Sequence, residues 1–451
     1  MKKNATLDAF MIGVGLLLAV PAWADVTPAP AAATEAQPWV PVLLAAQYNG
    51  ISQHLQPFDA KYSGPQSLPA DGDDATSKTF GIYFGMQLPA HWQAYLDIER
   101  FVGDGIGNAQ GLGSPTDGDV VRAGTDLPKD AYIARAYLQY LLPLGDETSH
   151  ADRAQDQLPG EVPGHAFLFK VGKLSVGDDF DQNRYANNTR TQFESWTLVN
   201  NGAFDYAADT RGYTDGLVFG YLQSGWSIKF GRYRMPERAN QEALEWPLNL
   251  AHGDNLELDL MPAGGTVIRL LAYKNVARMG IYEEAIAKAE ASGGTPDIVA
   301  DDAEGREKHG YGLNLEQPLA DGGDTGLFLR WGWDDGRTET FVFTEVDRHL
   351  SFGAQVSGAH WGREDDRLGV ALDINGLSAN HARYIELGGC GFELCDGKLS
   401  YGREGLFETY YRIQLGRYVQ LSPGFQFYEN PGYNRDRGPA RIYGLRLHLQ
   451  Y

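Results

Sequence analysis

The sequence predicts an all-β fold, a transmembrane antiparallel β-barrel of about 16 strands. Apolar and polar residues alternate with a period of two in segments along the whole chain, for example in 368–375 and 443–451. Glycine supplies 55 of the 451 residues and tyrosine 24, a composition that suits antiparallel sheets. Arginine and lysine lie on the polar faces of several segments, and aromatic residues mark the segment ends, where the girdles of a membrane barrel lie.

The chain has an acidic charge balance and no long apolar segment beyond its first residues. It contains 38 Lys and Arg against 59 Asp and Glu, a net charge of −21. A non-specific nucleic-acid binder needs a basic surface, so nucleic acid is excluded as a partner. After residue 24 the longest nearly apolar stretch is 39–46, far below the ~18 residues of a spanning helix. The sequence therefore also excludes a helical membrane protein.

The N-terminal residues have the parts of a secretory signal peptide. Lys2 and Lys3 precede an apolar run over 10–20, and Ala22-Trp23-Ala24 resembles a cleavage site. We expect a signal peptide at 1–24, a flexible lead-in rich in Ala and Pro at 25–44, and the barrel domain at 45–451.

About 16 alternating or partly alternating segments follow in chain order. Tight connections are expected at 89–91, 223–225 and 321–324. Long acidic connections are expected at 103–129, 145–163, 176–212 and 275–308, the last with a helical pattern over 282–291. The predicted strands are 47–60, 78–88, 91–101, 130–143, 165–174, 213–222, 226–234, 255–261, 264–274, 309–318, 325–333, 349–357, 368–375, 411–416, 419–428 and 443–451.

Alternation alone fits both a soluble sandwich and a membrane barrel, which turn the apolar face inward and outward respectively. Basic residues lie in mid-strand on the polar faces, and the acidic excess gathers in the connections. The final segment ends on Tyr451 and can pair with the first, which leaves no open edge. These features favour the barrel. The mid-strand basic residues are Arg135, Lys170, Arg330, Arg412 and Arg446; the end aromatics are Trp226, Trp331, Trp333, Tyr410, Tyr411, Tyr418, Tyr443 and Tyr451.

The two cysteines, Cys390 and Cys395, lie in a glycine-rich segment. Export permits a disulfide, and the flanking glycines allow so small a ring to close, so we favour a disulfide over two free thiols. One Cys pair with one nearby His, His381, is an incomplete zinc set. No Gly-x-Ser-x-Gly or His-Glu-x-x-His motif is present. We expect no metal, no cofactor and no enzymatic activity.

Four stretches resemble the carbohydrate-selective porin family of the OprB type. The most specific runs from Val171-Gly172-Lys173-Leu174 through Asp179-Phe180-Asp181-Gln182-Asn183-Arg184-Tyr185 to Arg211-Gly212-Tyr213. The others are 47–68, 92–109 and 430–439. The resemblance implies a 16-stranded barrel in the outer membrane of a Gram-negative bacterium, which passes mono- or oligosaccharides by passive diffusion. Its partners would be sugars in transit, outer-membrane lipid with lipopolysaccharide, and the barrel-assembly machinery, with monomer and homotrimer both left open.

A barrel of 16 strands leaves an open lumen, so some segment must narrow it. The long connection 176–212 is rich in groups that bind sugar hydroxyls and ring faces, and we expect it to fold inward as the constriction loop. Arg211 has an equal interpretation as a loop staple, and Trp196 as a packed residue under the loop. The predicted pore-lining and sugar-contacting residues are Asp97, Glu99, Arg135, Lys170, Asp181, Arg184, Trp196, Arg211, Arg330 and Arg412.

Two other functions remain open from the sequence. One is a secreted soluble β-rich protein that binds or hydrolyses carbohydrate, which fractionation without detergent would reveal. The other is a structural or adhesive barrel with no open pore, which would show no conductance in a bilayer.

Overall fold

A computed structural model of the chain describes residues 43–120, 124 and 127–451. The predicted signal peptide lies outside the described residues, as does the predicted lead-in up to residue 42. Leu43 and Leu44 already belong to the first strand.

The described residues form a closed antiparallel barrel of 16 strands, each paired with its neighbours along the chain and the last paired with the first. Two further short strands, β5 (Thr148–Ala151) and β6 (Gly160–Pro163), form a separate hairpin. The barrel strands are β1 (Leu43–Leu55), β2 (Asp73–Gln87), β3 (Trp92–Gly103), β4 (Tyr132–Pro143), β7 (Ala166–Leu174), β8 (Thr214–Gln223), β9 (Trp226–Arg234), β10 (His252–Leu260), β11 (Val267–Met279), β12 (Ala303–Ala320), β13 (Thr325–Asp334), β14 (Arg348–Ser357), β15 (Arg367–Gly376), β16 (Glu404–Leu415), β17 (Val419–Glu429) and β18 (Ala440–Gln450). Each predicted strand overlaps one of these, so the predicted barrel is confirmed.

The strands carry apolar residues outside and polar residues inside. In β15 the side chains of Val370, Leu372 and Ile374 are exposed, whereas Asp373 and Asn375 between them are buried. A soluble sandwich has the reverse arrangement, because it buries its apolar face. An apolar exterior around a polar interior is the arrangement of a barrel that lies in lipid.

Glycine and tyrosine pair on the inner wall of the barrel. The ring of Tyr273 covers Gly310 on the adjacent strand, and the ring of Tyr410 covers Gly369. At each of these glycines a Cβ atom would collide with the tyrosine ring. Aromatic rings over glycine stabilise sheets where the missing side chain leaves backbone uncovered. These pairs explain part of the high content of both residues.

The connections differ in length at the two ends of the barrel. One end has short turns, such as the turn between β8 and β9 at residues 224–225. The other end has long loops that include three helices, α1 (Trp196–Val199), α2 (Tyr282–Ser292) and α3 (Ala379–Glu386). Short periplasmic turns and long extracellular loops are the pattern of outer-membrane barrels. The helix predicted at 282–291 is present as α2. No helix among the described residues is long and apolar enough to cross a bilayer.

The inner wall differs from the sequence prediction in two respects. Acidic residues are not confined to connections, because strand residues such as Glu257, Glu316 and Glu408 are buried on the lumen side. Tyr410, predicted to mark a membrane girdle, is buried and faces the lumen, whereas Trp331 and Tyr443 are exposed on the outside. Alternation shows which residues share a face of a strand. It does not show that backbone N–H groups of the inserted loops bind the carboxylates on the inner face.

Candidate functional site

Three loops from the long-loop end fold into the lumen. We name them the first inner loop (104–120), the second inner loop (175–213) and the third inner loop (335–347). The second is the predicted constriction segment, and large side chains in it, including Phe180, Phe193 and Phe204, are fully buried inside the barrel. The predicted inward-folded loop is therefore confirmed, and the other two inner loops were not predicted.

Asp181 anchors the second inner loop to β12 and β13. Its carboxylate accepts a hydrogen bond from Nδ2 of Asn314 at 2.7 Å and pairs with Nε of Arg330 at 2.9 Å. Arg330 also donates to the carbonyl oxygens of Leu198 and Asp181, at 2.8 and 2.9 Å. The Arg330 side chain has no exposed surface. Its visible role is to hold the loop against the wall.

The strands β16 and β18 hold the next part of this loop. The carboxylate of Glu408 accepts hydrogen bonds from the backbone N–H groups of Glu194 and Ser195 at 2.5 and 3.0 Å. Arg446 donates from Nη1 to the carbonyl oxygens of Thr189 and Gln192 at 2.7 and 2.8 Å. Together with Asp181, these contacts fix the loop across the lumen from its own strands.

The first inner loop lies against the second. Nε1 of Trp196 donates to the carbonyl oxygen of Asp117 at 2.6 Å, and the Ser77 hydroxyl donates to the Asp117 carboxylate at 2.6 Å. Burial, together with the nearby carboxylates of Asp119 and Glu194, raises the pKa of Asp117 to about 8. This carboxyl group is therefore protonated at neutral pH.

The third inner loop is tied to the second by Asp205. The Asp205 carboxylate accepts hydrogen bonds from the backbone N–H groups of Phe341 and Val342 at 2.9 and 2.8 Å. It also pairs with Nζ of Lys308 at 3.0 Å, and neither side chain has appreciable exposed surface. The three loops thus form one connected insert.

The Cys390–Cys395 disulfide closes a short loop that contacts this insert. The Glu393 carboxylate accepts the backbone N–H of Glu345 at 3.0 Å, and the Glu345 carboxylate accepts the N–H of Leu394 at 2.7 Å. Burial raises the pKa of both carboxyl groups. These hydrogen bonds hold the ring closed by the disulfide against the third inner loop.

The wall formed by β3, β4 and β7 carries paired charges. Arg135 binds the Asp178 carboxylate through Nε and Nη2 at 2.6 and 2.8 Å, and pairs with Asp97 at 3.1 Å. Lys170 pairs with Asp179 at 2.6 Å. These cations bind loop and wall carboxylates, so their charge is largely neutralised.

Glu99 is enclosed by donors on the same wall. The Tyr213 hydroxyl donates to its carboxylate at 2.7 Å, the Tyr83 hydroxyl donates at 3.0 Å, and Nη1 of Arg190 pairs with it at 2.9 Å. Only about 1% of the Glu99 side chain is exposed. The carboxylate is therefore enclosed by donors of the protein in the described conformation.

The remaining predicted residues differ in access. Trp196 is packed, with its ring stacked on Phe343 at 5.6 Å between centroids. Arg211 pairs with Glu242 at 2.8 Å. Arg184 is exposed and Arg412 is half-buried on the lumen side. The structure thus places all ten predicted residues in or beside the lumen, and sugar contact at each stays a prediction.

A segment that sequence reasoning missed narrows the opposite mouth. The connection between β5 and β6 enters the barrel from the short-turn end, where Arg153 donates to the carbonyl oxygen of Leu44 and Asp156 pairs with Arg135 at 3.5 Å. Leu158 is buried in the interior. The length of the predicted connection 145–163 could have indicated this inserted segment, because most turns at this end of the barrel are short.

A closed barrel with an apolar exterior, a polar interior and loops inserted in its lumen defines an outer-membrane channel of the porin class. The sequence profile of the carbohydrate-selective porin, OprB family, matches residues 160–451. The chain belongs to this family. It is an outer-membrane porin of a Gram-negative bacterium through which carbohydrates diffuse passively. The predicted family, function and location are confirmed, and the soluble alternative is not supported.

Several solved structures are similar to the chain. The chain is similar to OprB of Pseudomonas putida at high pH, with 15% identity and a TM-score of 0.68 over 90% of this chain and 94% of that one. It is also similar to the outer-membrane channel DcaP of Acinetobacter baumannii, with 10% identity and a TM-score of 0.50 over 91% and 96%. OmpT of Vibrio cholerae, solved in a trimer form, aligns with 9% identity and a TM-score of 0.45 over 90% and 99%. No curated protein sequence matches the chain.

Proposed function

We propose that sugars pass along the inner wall at Arg412 on β16, beside the part of the second inner loop that Glu408 and Arg446 hold against β16 and β18. On the β3–β7 wall, the cations are paired with carboxylates. On the β16–β18 wall, Arg412 and Gln420 are only partly buried, and each has a polar atom with no hydrogen-bond partner among the described residues. A solute that loses hydration water needs such groups to bond its hydroxyls. The difference between the two walls carries this proposal.

The ten predicted pore residues then divide into two roles. Asp97, Glu99, Arg135, Lys170, Asp181, Trp196 and Arg330 hold the insert in place and so set the width of the constriction. Arg184 and Arg412 retain surface that a sugar can reach, and Arg211, whose side chain pairs with Glu242, is proposed as a contact at the mouth of the second inner loop. Within this division, the first group determines selectivity by size and the second by contact.

The proposed solutes are mono- or oligosaccharides that are neutral or weakly anionic. The molecule has a net charge of −21, yet Arg412 on the lumen side has no ion pair with any described residue. The passage involves no covalent step, and no enzymatic activity is proposed. Outer-membrane lipid, lipopolysaccharide and the barrel-assembly machinery are the proposed partners, and a monomer and a homotrimer are the two proposed assembly states. Mass measurement of the detergent-extracted protein distinguishes the two.

Liposome swelling tests the proposed selectivity. Purified full-length protein in liposomes should give faster swelling with glucose than with a neutral amino acid of matched size. Arg412→Ala should reduce the advantage of glucose, whereas Arg441→Ala, a change on the exposed outer face of β18, should not. Equal rates for glucose and the amino acid would contradict sugar selectivity.

A further inference from the structure

The strand register places three arginines in one row on the inner wall. Arg367 on β15 lies opposite Arg412 on β16, and Ser422 on β17 lies opposite Arg446 on β18. The pairing of β16 with β17 continues without a shift between Tyr410 and Ile413, so Arg412 and Ser422 fall in the same row. Like charges directly opposite each other destabilise a sheet. A row of this kind needs compensation by anions.

The protein compensates only the two ends of the row. Arg367 pairs with Asp324, and Nη1 of Arg446 lies 3.5 Å from the Glu194 carboxylate. Arg412, in the middle, has no ion pair and no hydrogen bond to any described residue, and its Nε is buried without a partner. Arg367 and Arg446 both lie close enough to repel its charge. This contrasts with Arg135, Lys170 and Arg330, each of which has a carboxylate partner.

Arg446 adds to the field at this point. Its side chain has no exposed surface, and its Nε and Nη2 atoms have no hydrogen-bond partner among the described residues. Its guanidinium lies 5.8 Å from the centre of the Tyr410 ring. A buried guanidinium whose N–H groups lack partners attracts anions more strongly than a hydrated one, because screening by water is lost. Arg446 acts on the solute through its electric field, because its own side chain is buried and the solute contacts the half-buried Arg412 instead.

We propose that Arg412, with Arg367 and Arg446 beside it, is a binding site for the carboxylate of a sugar acid in transit. This rests on the proposed function and names the solute class that the β15–β18 wall selects. A guanidinium presents its N–H groups in a fork that matches a carboxylate, and the sugar hydroxyls then meet the partly buried side chain of Gln420, two residues along β17 from the row of Arg412.

Planar-bilayer recordings of the full-length protein test this site, with glucuronate and glucose as probes. In the wild type, glucuronate should interrupt the ion current at lower concentration than glucose. Arg412→Gln should raise the half-blocking concentration of glucuronate about tenfold, as expected for loss of a charged hydrogen-bonded pair. It should leave that of glucose nearly unchanged because glutamine, unlike alanine, keeps N–H donors for neutral hydroxyls. Arg412→Lys, which keeps the charge but lacks the fork, should give an intermediate value.

Arg441→Gln is the matched control, because it removes one positive charge from the exposed face of β18. It should alter neither probe. An unchanged glucuronate value in Arg412→Gln, or an equal loss for both probes, overturns the carboxylate site. If glucose fails to enter the wild-type channel, the proposed sugar passage itself is wrong, so the two failures are distinguishable.

Discussion

At the scale of single residues, the site consists of buried charges with two kinds of role. Arg330 and Asp181 bind each other and close around the backbone of the second inner loop. Arg412 faces the lumen with no partner among the described residues. A buried ion pair costs little while both members are present, but removal of one leaves an uncompensated charge. The two kinds of arginine should therefore respond to mutation in different ways.

Arg330→Ala should release the second inner loop from β13. Loss of one partner of a buried ion pair destabilises the folded protein by about 3–5 kcal/mol. The second inner loop is held by fewer contacts than the strands of the barrel are. We expect a larger and noisier single-channel conductance with weaker sugar block, measured in planar bilayers. Arg383→Ala is a suitable control because Arg383 is on α3 with 46% of its side chain exposed. Unchanged conductance in Arg330→Ala would show that this anchor does not set the width.

Asp117 should make the stability of the insert depend on pH. Its pKa is about 8 in the folded protein against an ordinary value of 3.8, because burial favours the neutral form. The folded state therefore holds a proton that the unfolded state loses, so stability falls as the pH rises from about 4 to about 8 and then levels off. The temperature of heat-modified gel migration should fall over this range.

Asp117→Asn should flatten part of that dependence, because the amide stays neutral at every pH. Asp71→Asn, at an exposed loop position, should leave the profile as in the wild type. Parallel profiles for wild type and Asp117→Asn would contradict the assignment.

At the scale of elements, cross-strand pairs of tyrosine and glycine shape the inner wall. Gly369 on β15 lies beneath the ring of Tyr410 on β16. Gly424, on the other neighbouring strand β17, also lies opposite Tyr410. The same tyrosine therefore has two glycine neighbours with different surroundings. A Cβ on Gly369 would collide with the ring, whereas a Cβ on Gly424 would meet only the Thr409 carbonyl oxygen at 3.6 Å.

Gly369→Ala should destabilise the barrel by about 1–3 kcal/mol, the range for overpacking a filled site. Gly424→Ala should be tolerated, which makes it the matched control. The double variant Gly369→Ala with Tyr410→Ala should lose less than the sum of the single changes, because the collision is gone. Heat-modified migration in detergent gels measures all four proteins, and strict additivity would show that the ring does not constrain Gly369.

At the scale of the whole molecule, the exterior determines where the protein resides. Leu372 lies near the middle of β15 with 43% of its surface exposed, and Leu319 lies near the short-turn end of β12 with 59% exposed. A lipid belt around the barrel makes these two exposed leucines unequal, because the first lies near the bilayer midplane and the second near water.

Leu372→Arg should therefore cost about 2–4 kcal/mol and Leu319→Arg about 0–1 kcal/mol. Refolding into lipid vesicles across a denaturant series measures both values. Similar small losses for the two variants would argue against burial of the β15 surface in lipid.

The barrel could be predicted from the sequence because its determinants are local. Alternation in segments such as 368–375 is set by the strand itself, and the length of 176–212 indicated an inserted loop. The loop contacts could not be predicted, because Asp181 and Arg330 are far apart in the chain and alternation does not show which carboxylate meets which cation. For the same reason, the sequence predicts that Arg330 contacts sugar. In the structure its side chain binds the second inner loop, and sugar contact there stays a prediction.

Arg446 lies on the final strand of the barrel and holds the carbonyl oxygens of Thr189 and Gln192. The constriction is therefore held in part by the strand that closes the barrel against β1. A barrel that has not yet added β18 lacks this anchor, so addition of the strand that closes the wall against β1 also completes the anchoring of the second inner loop.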